Sequence, residues 1–597
     1  MEPSALGVAV PLIAAAALAA AVPLRPGRLG DAVSITTAAA VAVLCSVALA
    51  RAGDGTDVLW LGAWKPAGGV ALGISFAVDQ VGAGTAAFTA ALMLAALLFA
   101  ARYLDEPDPL FHVLMLVFLA AMVGFAFSGD LFNLFVFFEL MSIAAFVLAG
   151  YQIEQRAPLE GSLNFAITNT VGSFLLLAGI ALVYGRTGAL NLAEAGEHLA
   201  SRPSGALVAV AFAFIATGFL VKAAIVPFHF WLADAYAVAR TPVCIVFAGA
   251  MSELGLYGVA RVYWTVFSGP LGPHEEAVRA ILVTVGIATA LLGAAMALAQ
   301  THLKRLLAFV TIAYLGLFLV GIGLLNADGL AGAALFVVGD GFLKAALFVG
   351  VGILQRRFEH VYLRPLHGRG RALPVAGALF LLAALGVASL PPFGSFLGKA
   401  LVEHGASEAG YGWAVPVFMA VSAACGAALL QAAARAYFGF GRRIEREPPA
   451  AGPEEEEMGE EPGRPAAVPV MTAVLGVLLA GSLAVGIWPG LADSAVAAAG
   501  SFMDRAGYAA AVLRDAPAGA ASGEAGIAWY DYLYAALSLA AAAGLAALLV
   551  ARPRLPAGLG RALSGLRALH SGHPGDYVAF VTAGAALLGG LFALSLT

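Results

Sequence analysis

The sequence predicts an all-α fold, a polytopic membrane helix bundle of about sixteen spans with two inverted five-helix repeats and broken helices. Three observations predict it. Apolar residues make up 61% of the chain and charged residues only 12%, where a soluble domain carries roughly 45–50% and 25%. Apolar runs of about 20 residues, enough to cross roughly 30 Å of hydrocarbon, recur along the whole chain. Two of these runs hold a proline close to a lysine, and the two lie five spans apart.

Taken in order, the runs fall near 4–24, 31–51, 79–101, 111–128, 131–151, 162–184, 206–226, 243–266, 278–299, 306–325, 330–354, 373–392, 412–440, 468–489, 528–551 and 576–596. Helices are required because lipid offers no partner to an open sheet edge. The start, Met1-Glu2-Pro3, lacks a basic flank and reads as the first membrane helix rather than a cleaved signal peptide. Residues 56–76, with Trp60 and Trp64, suit a short surface hairpin. With the N-terminus outside, cytoplasmic loops hold about twenty Lys/Arg and outer loops about seven, as the positive-inside rule requires. An even number of spans then puts Thr597 outside too. Residues 445–466, with Glu454 to Glu457 among prolines and glycines, read as a mobile cytoplasmic linker. Residues 491–526 are expected on the outer surface, and 556–572 as an interfacial amphipathic helix.

These features divide the chain into residues 1–104, N-terminal helices with the outer hairpin, and 105–270 and 271–440, one repeat each. Residues 441–467 are the acidic linker and 468–597 the C-terminal helices. A net charge of -5 on 597 residues, without a basic stripe, excludes nucleic-acid binding. Cys45, Cys244 and Cys425 are far apart and form no metal-binding cluster. No nucleotide loop, flavin motif or cluster ligand is present, so no cofactor, metal site or redox chemistry is expected in this chain itself.

The informative residues are ionisable ones inside spans. Each costs at least ~2.5 kcal/mol at the membrane centre unless paired or hydrated, so each is a functional candidate. They are Glu139, Lys222, Glu253, Asp340, Lys344, Lys399 and Glu403, with His229 beside the first break. Asp340 and Lys344 are four apart and share a helix face, as do Lys399 and Glu403 in the reverse order. Lys222 precedes Pro227, and Lys399 follows Pro391–Pro392, about 165 residues on. A proline removes a helical hydrogen bond, which a membrane tolerates only in a protein-lined or wet place. Paired broken helices five spans apart point to inverted repeats of a transporter. Burial disfavours a charged lysine and a nearby carboxylate favours it, so a lysine that alternates between paired and unpaired alternates between holding and releasing a proton. His229 is a candidate relay or a staple at the break.

The chain resembles the antiporter-like subunits shared by Mrp-type cation/proton antiporters, respiratory complex I and membrane-bound hydrogenases, with the D-type component of the Mrp antiporters most similar. The stretches that carry the resemblance are Leu61–Trp64, Phe76–Asp79, Asp130–Glu139, Lys222–Ala235, Leu303–Phe309, Asp340–Lys344 and Leu390–Lys399, over roughly residues 55–440. The resemblance implies that Glu139 and Lys222 form a charge pair and that Lys344 and Lys399 belong to a second half-channel. Glu253 stands where the family usually has a lysine, Asp340 where complex I subunits usually have histidine, and Arg240 where a proline is common. The stretch Leu569–Tyr577 is similar to the end of longer complex I-type subunits. The implied function is proton translocation through buried Lys/Glu relays. The host is a multi-subunit monovalent cation/proton antiporter or, alternatively, a complex I-like or hydrogenase-like oxidoreductase. Partners would be other membrane subunits, the lipid of a bacterial or archaeal-type inner membrane, and protons. Sodium and potassium both stay open as the exchanged ion.

Overall fold

The structure, a computed structural model, describes residues 2–24, 28–67, 70–104, 109–201, 205–442, 468–516, 522–551 and 565–595. The expected acidic linker at 445–466 lies outside the described residues, as does most of the expected interfacial helix at 556–572.

Helices α1 (Pro3–Ala21) and α2 (Arg28–Arg51) lead into a small antiparallel hairpin of β1 (Asp57–Trp60) and β2 (Ser75–Val78), in register from Asp57 opposite Val78 to Trp60 opposite Ser75. The chain continues through α3 (Gln80–Tyr103), α4 (Pro109–Phe127), α5 (Leu131–Ala149), α6 (Arg156–Thr187) and the short α7 (Leu192–Ala200). The first interrupted crossing is α8 (Ala206–Lys222) with α9 (Phe230–Val238). A continuous helical run then holds α10 (Thr241–Val246), α11 (Ser252–Val262), α12 (Ser268–Leu271) and α13 (Glu275–Ala297). Next come α14 (Leu303–Gly323), α15 (Ala327–Phe358), the short α16 (Leu363–Leu366), and the second interrupted crossing, α17 (Pro374–Val387) with α18 (Gly394–Glu408). The C-terminal part holds α19 (Val415–Ala436), α20 (Val468–Ile487), α21 (Leu491–Met503), α22 (Arg505–Arg514), α23 (Trp529–Ala551) and α24 (Pro574–Ser595).

Thirteen of the described helical runs are long and apolar enough to cross a membrane. The run Thr241–Ala297, at 57 residues, is long enough for two crossings. Splitting it and adding the two interrupted crossings raises thirteen to the sixteen that the sequence predicts. Within the segment expected at a surface, Leu491–Met503 and Arg505–Arg514 form the short helices α21 and α22.

Several helix starts are fixed by short acceptor side chains, as in soluble proteins. Asp79, Asp130, Asn191 and Asn326 each accept from a backbone N–H in the first turn of α3, α5, α7 and α15. Asp79 also takes the buried Arg261 guanidinium at 2.6 Å, which ties the hairpin to α11.

The two breaks have the same backbone wiring. At the first, N–H groups of Ala223, Ala224, Ile225 and Phe228 donate to carbonyls of Phe219, Val221, Leu220 and Ile225. At the second, Ala388, Ser389, Leu390 and Phe393 donate to Ala384, Gly386, Leu385 and Leu390, each residue 165 further along. Ala224 (φ 48°) and Ser389 (φ 73°) both enter the left-handed region, a strain of about 1–3 kcal/mol that surrounding structure must hold. The anchors at the ends of the repeats match as well. Leu131 and Leu192 donate to Leu190 and Gly129, while Leu303 and Leu363 donate to Val361 and Thr301. Five crossings separate each feature from its counterpart, and an odd number turns the second set upside down relative to the first.

Helices α15 and α18 meet backbone to backbone. A Cβ on Gly398 would lie 2.2 Å from the Phe336 nitrogen, and one on Gly339 2.3 Å from the Gly394 carbonyl carbon. Only glycine permits that approach, and it sets Lys399, the next residue along α18, into the interior.

Candidate functional site

The ionisable candidates form three groups along the bundle. The first is at the end of α8, where the break begins. Lys222 is fully buried. Its ammonium donates to Ser142 Oγ at 2.6 Å. It also faces the rings of Phe138, Phe165 and Phe146, with centroids at 4.9, 5.4 and 5.7 Å. Aromatic faces attract a cation and compensate in part for lost hydration. Glu139 is near enough to act electrostatically on this ammonium, as a charge pair requires, but makes no direct ion pair with it. Among the described residues no carboxylate lies within 4 Å of the Lys222 ammonium. Glu139 is partly buried and accepts from Ser173 on α6. Ser142 sits three residues after Glu139 on α5, so the acid and the lysine meet through one turn of that helix.

His229 follows the break and is buried, with its ring 5.2 Å from that of His570. Neither ring nitrogen has a hydrogen-bond partner among the described residues. His570 arrives from the C-terminal segment. The same segment places Tyr577 so that its hydroxyl donates to Asp234 Oδ2 at 2.7 Å. These contacts explain the stretch Leu569–Tyr577, which closes over the first broken helix.

The second group is central. Lys344 lies 3.0 Å from Asp340 on its own helix and 2.8 Å from Glu253 on α11. All three are buried, and the ammonium also faces the Phe318 ring at 5.3 Å. The i, i+4 partner was legible from spacing, whereas Glu253 is 91 residues away and was not. Glu253, the departure from the family pattern, thus becomes a second acid on one lysine. Two carboxylates and one ammonium leave one negative charge, which a single added proton neutralises. The cluster can therefore store a proton without leaving a net charge in a dry interior. Ser252, next to Glu253, meets the Tyr236 hydroxyl of α9 at 3.0 Å and extends polar groups toward the first break.

The third group is on α18. Lys399 and Glu403 are buried, 3.6 Å apart. Lys399 also donates to Ser389, at the second break, at 3.4 Å and to Ser538 of α23 at 3.5 Å. A cavity of about 350 Å³ runs from buried Glu403 past His404 and Asp531 to exposed Tyr530. Lys399 thus has a polar surround of Ser389, Ser538 and Glu403, and of these Glu403 borders the cavity. Ser142, Ser173, Ser389 and Ser538 were missed in the sequence, where a serine in an apolar helix gives no signal that separates a ligand from a helix-bonded hydroxyl.

A sixteen-span bundle with broken, inverted helices and an ionisable interior defines a polytopic membrane protein of the transporter type. The chain belongs to the NADH:quinone oxidoreductase/Mrp antiporter transmembrane family, which matches residues 128–425 and so takes in all eight candidates. NADH-quinone oxidoreductase subunit N of Desulforudis audaxviator is 31% identical over 368 residues, 61% of this chain and 71% of that protein. The putative antiporter subunit mnhD2 of Staphylococcus aureus is 31% identical over 290 residues, 48% of this chain and 57% of that relative, under two thirds of its length. A chain in the solved structure of the Mrp complex from Dietzia sp. is 26% identical, with a TM-score of 0.74 over 86% of this chain and 99% of that one.

Proposed function

We propose that this chain is the proton-translocating membrane subunit of a multi-subunit monovalent cation/proton antiporter. The observation that carries the proposal is the line of ionisable groups through both breaks, from partly buried Glu139 and buried Lys222 and His229, through Glu253, Lys344 and Asp340, to Lys399 and Glu403, all buried. Residues 105–270 and 271–440 serve as two half-channels. The excess of Lys/Arg in the loops assigned to the cytoplasm supports both termini and the hairpin lying outside. A proton enters at the first half, displaces charge at the Glu253–Lys344–Asp340 cluster, and leaves past Glu403. Likeness along nearly the whole of a chain in the Dietzia Mrp complex supports the antiporter reading and other membrane subunits as partners.

The similarity to the Desulforudis oxidoreductase component favours a second reading, a proton-pumping subunit of a complex I-like or hydrogenase-like assembly. Everted vesicles carrying the intact complex separate the two. A pulse of sodium or potassium chloride should dissipate or build a pH gradient with no electron donor present. A gradient that appears only with an electron donor, and ignores both cations, would replace the first reading with the second.

A further inference from the structure

Asp328, His404 and Glu408 meet where α15 begins and α18 ends. His404 and Glu408 are four residues apart, on one face of α18. Asp328 faces them from the first turn of α15, with its Oδ2 at 2.7 Å from His404 Nδ1. One ligand atom from each of the three lies within 4.8 Å of the others. The backbone holds this meeting in place. Asn326 Nδ2 donates to the Gly405 carbonyl at 2.9 Å, and Asn326 Oδ1 accepts from the Gly329 N–H at 2.9 Å. A Cβ on Gly405 would lie 2.7 Å from the Gly329 nitrogen, so the two helices touch beside the site. Asp328 is buried, His404 half-buried and Glu408 exposed, which gives an ion a way in from solvent.

One imidazole nitrogen with two carboxylate oxygens is a donor set suited to zinc and related divalent transition metals. Magnesium and calcium prefer oxygen alone. His404 also lines the cavity that reaches Glu403 and Asp531, which leaves room for water to complete the coordination. Glu403 is the residue before His404 on the same helix, and Lys399 lies just over a turn before His404. A dication held by His404 would stand beside the cavity that Glu403 also lines, repel a proton emerging there, and fasten α18 to α15.

We propose that Asp328, His404 and Glu408 form a site for a divalent transition-metal ion, and that its occupation blocks transport. The blocking part rests on the proposed proton route, and the binding part stands by itself. The probe is zinc, measured on the purified intact complex by competition with a fluorescent chelator, and in vesicles as flux with and without zinc. The parent should hold zinc at least tenfold more tightly than His404→Ala, and magnesium should not compete. Glu408→Gln, an exposed change that does not threaten folding, should weaken zinc several-fold. The zinc concentration that halves flux should rise at least tenfold in His404→Ala. Equal zinc affinity in the parent and both variants would overturn the site, and tight binding with unaltered flux would overturn the block. Absent flux in zinc-free parent vesicles would count against the proposed function instead, with the binding comparison still deciding the site.

Discussion

Replacing Lys344 with alanine is expected to abolish transport and to lower the yield of folded protein. The ammonium is the cation shared by Asp340 and Glu253, at 3.0 and 2.8 Å, in surroundings closed to solvent. Its removal leaves two buried carboxylates without that counter-charge, and breaking a buried pair costs about 3–5 kcal/mol. Stability and function then separate by neutralising the acids as well. A triple variant, Lys344→Met with Glu253→Gln and Asp340→Asn, has no buried charge at this point and should recover most of the folded yield. It should still not transport, because no group in the centre can carry a proton. Yield is read by size-exclusion chromatography and transport by proton flux in vesicles. Parental flux in the triple variant would reduce the cluster to a structural pin.

Glu139→Ala and Lys222→Ala should each lower flux at least tenfold with the complex still assembled. Without Glu139, the buried ammonium keeps Ser142 and three aromatic faces but loses the negative charge one helical turn away, so it holds its proton less well. Without Lys222 no carrier remains at the break. The double variant should be little worse than either single one, because groups acting as one unit are not additive. Ser142→Ala tests the contact that the structure adds. It removes the hydrogen bond and leaves the charges, so its flux should fall between the parent and Glu139→Ala. Near-parental flux in Glu139→Ala or Lys222→Ala, at equal assembly, would contradict the coupling.

Much of the architecture was legible because a membrane crossing imposes length and composition together. The breaks were legible because proline marks them and because Lys222 and Lys399 stand beside them. Asp340–Lys344 and Lys399–Glu403 were readable as pairs, since four residues bring side chains to one helix face. Contacts between distant elements were not. Nothing in the string joins Glu253 to Lys344, or His570 to His229, because tertiary packing alone sets those distances. The expected Glu139–Lys222 charge pair came from resemblance, and the structure adds Ser142 as the ammonium's direct partner, a hydroxyl too common in helices to stand out. Ser538 and Asp531 come from α23, beyond the stretch that carries the resemblance, and still complete the surroundings of Lys399 and Glu403.

The most direct test of a single proton route is the Lys399→Ala variant. Lys399 lies at the end of the line opposite Lys222, in a polar surround of Ser389, Ser538 and Glu403. If protons pass along the whole line, removing its last carrier should stop flux as fully as removing its first. The measurement is proton flux in vesicles holding equal amounts of assembled complex, parent beside Lys399→Ala. The route predicts at least a tenfold loss in the variant, and flux at the parental rate would contradict it.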